Sequence, residues 1–504
     1  MKTMQEQDRF PIRIYNSLSR NKETFKPINP PNVGLYVCGP TVYGDPHLGH
    51  ARAGITFDLL YRYLQHHGYK VRYVRNITDV GHLENEESDS GEDKIAKKAR
   101  LEELEPMEVV QYYTLQYHRG LDALNCKRPS IEPSASGHII EQIKLVEKII
   151  ENGLAYEVNG TVYFDLETYR QSNSYGDLSG KVLEDLQAGS RHTEGMDEKR
   201  NPHDFALWKK ASPEHIMRWD SPWGEGFPGW HIECTAMSTK YLGEQFDIHG
   251  GGLDLQFPHH EAEIAQCRGA HGTDPANYWV HNNMVTIEGA KMSKSAGNFI
   301  TLDQLFSGDH EFLERAYSPM VVRFLMLQSH YRSKIDFSNE ALNAAEKGLN
   351  KLMNALEFLE EIEPEFDANV GSLDSEVEKQ CDLCYERMSD DLNTAQVLAA
   401  LFDLVNKINA VYHNQIEPGA LSGATFDRLR TTFRTFVQDI LGLEAELASG
   451  HDKSEELIKL LIRIRAEARA KKDFETSDQI RDELASMGIT LKDEKSGKTS
   501  YEME

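Results

Sequence analysis

Hydrophobic and polar positions follow two regimes along this chain. Up to about residue 320, short apolar runs bounded by Gly and Pro alternate with stretches at helical spacing; beyond it the helical period dominates almost to the end. The opening unit is the clearest. Gly34-Leu35-Tyr36-Val37-Cys38 predicts a short buried strand, followed by a loop of turn formers (Gly39, Pro40, Gly44, Asp45, Pro46). His50 to His67 predicts a helix with Ile55, Leu59, Leu60 and Tyr63 on its inner stripe, and Gly68 stops it. Val71 to Asn76 is the next strand. A strand–helix–strand unit of this length requires parallel pairing.

Residues 126–200 mix helix, short strands and turns and predict an insertion between two halves of the sheet; strand-and-loop text resumes over 201–300. The acidic stretch Glu84 to Asp93 predicts a solvated loop. From Arg323 onward, helices are predicted over Ala341–Glu361, Ser375–Met388, Thr394–Tyr412 and Phe426–Leu441. A linker near Gly450, a helical pair (Ser454–Lys472 and Phe474–Met487) and a polar tail complete the chain. The expected fold class is α/β: a doubly wound parallel sheet with an inserted subdomain, then all-α C-terminal domains. The expected boundaries are 1–320, 321–449 and 450–504.

Composition changes this picture in three ways. A length of 504 residues suits about three domains. Acids outnumber bases, 81 to 55, for a net charge of -26, which excludes a protein that coats nucleic acid by bulk charge but leaves a local basic surface open. Six cysteines are too few for a disulfide scaffold in a chain this long and fit a reducing compartment. No apolar run reaches the roughly 18 residues that span a bilayer, and Met1 to Arg20 lacks the apolar core of a secretory leader. The expectation is a soluble cytoplasmic protein.

Three constellations carry chemistry. His47-Leu48-Gly49-His50 opens the first helix, where unpaired N–H groups attract anions. Two imidazoles three apart share a face and can donate to phosphate oxygens, and Gly49 lets a nucleotide approach the backbone. Lys291-Met292-Ser293-Lys294-Ser295 sits among small residues, and its two lysines can swing onto a polyphosphate. Cys38, Cys234, His259 and Glu263 offer two thiolates, an imidazole and a carboxylate, a donor set for Zn²⁺. Spacing alone leaves two readings of that set, a metal tetrad or buried structural cysteines beside a helix-start carboxylate.

The first two motifs, in this order, resemble those of the class I aminoacyl-tRNA synthetases. Tyr36-Val37-Cys38-Gly39-Pro40-Thr41-Val42-Tyr43, Asn76-Ile77-Thr78-Asp79, Pro228-Gly229-Trp230-His231-Ile232-Glu233-Cys234 and Asp247-Ile248-His249-Gly250-Gly251-Gly252 are similar to the cysteinyl-tRNA synthetase family within that class. The resemblance covers nearly the whole chain and is strongest before residue 335. It implies a Rossmann-like catalytic domain over 1–320, a helical stem over 321–449 and an anticodon-binding region over 450–504. It implies activation of L-cysteine by ATP and transfer to the 3′ end of tRNA(Cys). His47, Gly49, His50, Lys291 and Lys294 would hold ATP, with His47, His50, Lys291 and Lys294 catalytic and Mg²⁺ on the phosphates. Thr78, Trp230 and Asp254 would line the amino-acid pocket.

It further implies one zinc ion held by Cys38, Cys234, His259 and Glu263 that binds the substrate's thiolate. Cysteine and serine differ by one atom, and shape alone separates such neighbours weakly; Zn²⁺ prefers a thiolate, which would make editing unnecessary. The insertion between Cys126 and Arg200 is accordingly too small for a separate editing domain. The remaining cysteines, Cys126, Cys267, Cys381 and Cys384, read as inert core thiols. Two departures stand out: the segment Gly81 to Gly91 intervenes after Asn76-Ile77-Thr78-Asp79, and the tail offers Tyr501 where the family often has Trp. Lys459, Arg463, Arg465, Arg469, Lys471 and Lys472 form a basic stripe that could hold tRNA phosphates. The expected partners are tRNA(Cys), ATP and L-cysteine, with no membrane and a monomeric chain. Alternatives are a related zinc ligase joining cysteine to a small amino-sugar, and a non-enzymatic RNA-binding relative.

Overall fold

The structure, a computed structural model, describes residues 9–80, 83–85, 90–181, 198–213, 215–229, 231–292, 297–362, 371–416, 420–445, 453–470, 473–486, 489–493 and 499–503. By internal contacts the chain divides into two units, Met1–Glu444 and Ala445–Glu504.

The first unit is built on a four-stranded parallel sheet. Its strands are β1 (Asn32–Val37), β2 (Lys70–Arg75), β3 (Phe246–Gly252) and β4 (Ala276–Asn282), in the order β4-β3-β1-β2. Helix α1 (Leu48–His66) links β1 to β2, α2 (Ile232–Leu242) precedes β3, and α3 (His259–His271) links β3 to β4. Leu35, Tyr36 and Val37 are all buried, as expected for a central strand covered on both faces. The chain leaves β1 toward β2 on one side and reaches β4 from β3 on the other. The crevice beyond the carboxyl ends of β1 and β3 is therefore the topological switch point, where doubly wound sheets bind ligands.

Helix α1 departs from its predicted amphipathic pattern. Beyond the apolar stripe it also buries Arg52, Asp58 and Arg62. Asp58 accepts from Arg62 Nε at 2.8 Å, from Arg323 Nη2 at 2.5 Å and from the Lys127 amide at 2.8 Å. Arg323 is fully buried and also donates to the carbonyls of Leu441 (2.7 Å) and Leu124 (2.8 Å). The helix is wrapped by protein on its outer side, because the helices after residue 318 pack there. They run over Pro319–Leu327, Asn339–Glu361, Ser372–Ser389, Thr394–Tyr412 and Gly423–Arg434 and share one apolar core with the sheet, including Leu60, Leu325, Leu352 and Leu401. The helix predicted over Phe426–Leu441 changes pitch, with a wide π-type turn over Thr435–Ile440.

An antiparallel sheet of four strands, 226–228, 205–210, 161–164 and 155–158 in spatial order, has its own core of Ile149, Val162, Phe164 and Trp208. It extends the inserted region to Pro228. The acidic stretch expected as a bare loop contains a short antiparallel pair, Leu83–Asn85 with Ser90–Asp93. Cys126, Cys267, Cys381 and Cys384 are buried, and burial pushes all four thiols up, Cys381 to about 11.

The second unit contains helices Lys453–Ala470 and Phe474–Ser486 and a hairpin, Ile489–Asp493 against Thr499–Met503, where a polar tail was expected. Tyr501 pairs with Leu491 in that hairpin. The basic stripe is narrower than its sequence suggested. Arg465 is buried while Arg463 and Arg469 are exposed; Arg463, two residues away on the helix, points to the opposite side. The side chains of Lys459, Lys471 and Lys472 lie outside the described residues. No described helix is long and apolar enough to cross a membrane.

Candidate metal centre and nucleotide site

Three distant segments bring their donor side chains together at the switch point. Cys38 directly follows β1, and its amide donates to Gly250 of β3 at 3.0 Å. Cys234 lies in the first turn of α2, and His259 and Glu263 share the first turns of α3. The glycines of β3 permit this closeness. A Cβ on Gly250 would sit 2.2 Å from Phe57 of α1, and one on Gly251 would sit 2.8 Å from the His260 ring.

The four donor atoms lie within 4.8 Å of one another. Cys38 Sγ is 3.7 Å from Cys234 Sγ, 3.4 Å from His259 Nε2 and 3.6 Å from Glu263 Oε1, and the last two are 3.1 Å apart. Two sulfurs at zinc's bonding distance, set at a tetrahedral angle, stand about 3.8 Å apart, a sulfur and a nitrogen about 3.5 Å, and a nitrogen and an oxygen about 3.3 Å. The donor set therefore fits zinc in both chemistry and spacing. A second group, Cys38, His249, His260 and Glu263, also falls within the same limit.

The surrounding histidines were not singled out by sequence reasoning, although the tandem His259-His260 and the run His249-Gly250-Gly251-Gly252 carried the signal. His249 is within 2.8 Å of Glu263 Oε2 through Nε2 and stacks on Trp279. His231 Nδ1 meets His259 Nδ1 at 2.6 Å, and His260 Nδ1 meets His281 Nε2 at 2.8 Å. Such outer partners fix ring orientation in metal sites. His231 itself takes a left-handed φ of 77° where α2 begins, a strained position for a residue other than glycine.

The electrostatics are those of thiols, a carboxylate and imidazoles packed together away from water. Burial pushes the Cys38 thiol up, and Cys234 and Glu263 push the same way. Burial alone would lower the His259 imidazole, but Cys234 and Glu263 outweigh it and raise it well above its ordinary value. Burial would raise Glu263, yet His249 and His259 hold its carboxyl down to about 2. Burial, then the charge of His249, lowers His281 to about 3. A divalent cation satisfies such a cluster, since metal binding favours deprotonated donors.

Beside this cluster, His47 caps α1. Its Nδ1 accepts from the Gly49 amide at 3.1 Å, and the Nδ1 of His50 accepts from the His47 amide at 3.2 Å. An accepting Nδ1 places the proton of a neutral imidazole on Nε2. His50 is kept neutral by burial first, then by His47 and Arg75, which lower its pKa. Both rings thus carry an Nε2–H at a helix N-terminus, suited to phosphate. The Leu302 amide donates to Pro46 at 2.8 Å, and His47 forms an isolated bridge with Thr301, so the chain just past the lysine motif runs alongside. Lys291 is exposed in a short strand paired with Val285–Ile287, and Lys294 lies outside the described residues.

Thr78 is buried next to the loop after Cys38; its amide donates to Pro40, and its hydroxyl accepts from Asn76. Asp254 is exposed in the turn after β3. Trp230 lies outside the described residues.

Comparison with known proteins accords with this geometry. The family pattern described as tRNA synthetases class I (C) catalytic domain matches residues 24–347. A cysteine–tRNA ligase of Porphyromonas gingivalis is 60% identical over 490 residues, spanning 97% of this chain and 98% of the relative. The chain belongs to the cysteine–tRNA ligase family. A second member, from Bacteroides fragilis, is 58% identical over 489 residues, spanning 96% of this chain and 98% of its own. A DALR domain matches residues 384–446, and a cysteinyl-tRNA ligase anticodon binding domain matches 455–499. Among solved structures, the Mycobacterium tuberculosis methionyl-tRNA synthetase with methionyl-adenylate superposes with a TM-score of 0.57 at 15% identity, over 86% of this chain and 94% of that one, a likeness of fold. Membership makes the chain an aminoacyl-tRNA synthetase, an enzyme of protein synthesis whose partners are tRNA, ATP and an amino acid.

Proposed function

We propose that this chain activates L-cysteine with ATP and transfers it to the 3′ end of tRNA(Cys). The observation that carries the reading is the convergence of Cys38, Cys234, His259 and Glu263 beside the histidine-capped helix. Zinc held by these four residues would supply a Lewis acid that takes a thiolate in preference to a hydroxyl. In the first step the carboxylate oxygen of cysteine bonds to the α-phosphorus of ATP and the bond to the bridging oxygen breaks, releasing pyrophosphate.

The Nε2–H groups of His47 and His50 stabilise the charge on the phosphate oxygens, and Gly49 admits the nucleotide to the helix end. Lys291 and Lys294 hold the departing pyrophosphate, with Mg²⁺ as counter-ion. Thr78, Trp230 and Asp254 line the pocket for the amino acid. In the second step a terminal ribose oxygen of the tRNA bonds to the cysteinyl carbon, and AMP leaves. Residues 1–320 perform this chemistry, 321–449 form the stem, and 450–504 read the anticodon. The anticodon-domain match favours tRNA over a small acceptor. The chain acts as a cytoplasmic monomer.

The test is Cys234→Ser. Its purified protein should lose bound zinc and bind cysteine more weakly while retaining ATP. Full metal content with unchanged cysteine affinity would refute the assignment.

A further inference from the structure

We propose that Asn76 is a positioning residue that holds the Cys38 segment and Thr78 in one frame beside the Cys234 sulfur, and so sets the preference for cysteine over serine. The inference rests on the zinc reading above. Asn76 directly follows β2 and is 1% exposed. Its Oδ1 accepts from the Gly39 amide at 2.9 Å and the Tyr36 hydroxyl at 3.2 Å, and lies 3.8 Å from Cys234 Sγ. Its Nδ2 donates to Thr78 Oγ1 at 2.9 Å. One amide therefore touches the chain on both sides of Cys38, the second cysteine and the threonine of the substrate pocket.

The backbone reinforces the link. A Cβ on Gly39 would stand 1.6 Å from the Asn76 carbonyl oxygen, so the chain after Cys38 lies directly against this residue. Residue 76 must accept hydrogen bonds on one side and donate on the other, from a short planar group. Asparagine meets both demands, and glutamine would overreach by a methylene. Aspartate has the same shape but cannot donate to Thr78, and it sets a negative charge near the Cys234 sulfur. A substrate thiolate entering that site would be repelled, whereas a neutral serine hydroxyl would not. The neutral amide at position 76 thus bears on which substrate is accepted as well as on the fit of the metal.

The test uses the full-length, zinc-loaded enzyme with Asn76→Asp and, as a second variant that adds no charge, Asn76→Ser. Zinc retention is followed against a chromogenic chelator, KM for cysteine and for ATP by pyrophosphate exchange, and folding by thermal melting. In a folded Asn76→Asp protein, zinc should transfer faster to the chelator and the cysteine KM should rise about 10–100-fold, the usual cost of losing an outer partner of a metal site. The ATP KM should stay near the parental value, and the cysteine-to-serine ratio of kcat/KM should fall. Asn76→Ser should show the same loss of zinc retention with a smaller loss of discrimination. Parental zinc retention and cysteine KM in both variants would overturn the proposal, as would an equal rise in both KM values. If Cys234→Ser sheds zinc while both Asn76 variants behave as parent, this inference alone fails; if Cys234→Ser keeps its zinc, the underlying metal reading fails first.

Discussion

Replacing Asp58 by asparagine tests the junction between α1 and the helices that cover it. Oδ2 of Asp58 takes both guanidinium groups, Arg62 at 2.8 Å and Arg323 at 2.5 Å, while Oδ1 takes the Lys127 amide at 2.8 Å. An asparagine has one acceptor and one NH₂, so whichever way it turns, its NH₂ faces a donor. Two buried cations also lose their only carboxylate among these contacts. Breaking a buried ion pair from one side costs about 3–5 kcal/mol. For a unit of 444 residues unfolding with about 2.1 cal/mol/K per residue, that corresponds to a drop of about 4 °C in Tm. Calorimetry of the parent and Asp58→Asn proteins under identical zinc loading measures it. The double variant Asp58→Leu with Arg323→Met should recover part of the loss, since apolar side chains of similar volume need no counter-charge. A melting point within 1 °C of the parent for Asp58→Asn would refute the reasoning.

Three further outcomes follow from the structure and the motifs. His67 is 1% exposed, and burial, then His66, lowers its pKa to about 4. Its folded form stays neutral while the unfolded chain protonates below pH 6.5, so stability is complete above that pH and falls as pH drops toward 4. The loss at pH 5 is about 2 kcal/mol, and urea unfolding at pH 7 and pH 5 should show His67→Gln losing that much less than the parent. Gly39→Ala should lower kcat/KM for cysteine by about 10²-fold, because the methyl group would displace the Cys38 segment from the Asn76 carbonyl; parental kinetics would mean that the loop yields freely. Lys294→Ala should cut cysteine-dependent ATP–pyrophosphate exchange by about 10²–10³-fold, and near-parental exchange would remove the lysine from the reaction.

Much of this was legible in the sequence. The alternation of strand and helix around residues 34–76 gave the parallel unit. The donor types of Cys38, Cys234, His259 and Glu263 left a metal tetrad and buried structural cysteines both open; the family resemblance singled out the tetrad, and the fold brings its donor atoms together. Less legible was anything that depended on who covers whom. Arg52, Asp58 and Arg62 lie outside the apolar stripe of α1, yet they are buried, since periodicity cannot tell a surface helix from one covered by later helices. Arg465 hid in a basic run for a related reason: composition ignores the helical angle between neighbours. The histidines around Glu263 escaped notice because each is ordinary alone, and only tertiary packing places His249 on its second oxygen.

The tetrad draws on positions 38, 234, 259 and 263, so an ion gripped there closes no local loop. It can be held by all four only once β1 lies between β2 and β3 with Leu35 facing Ile248 and Tyr73. A slip of one residue would swing Cys38 to the opposite side of the sheet. During synthesis, nothing assembled before Glu263 has emerged can complete the cage. Tight uptake of the ion would then mark a correctly threaded chain, and a chelator-sensitive fraction among newly made molecules would count those that have yet to arrive.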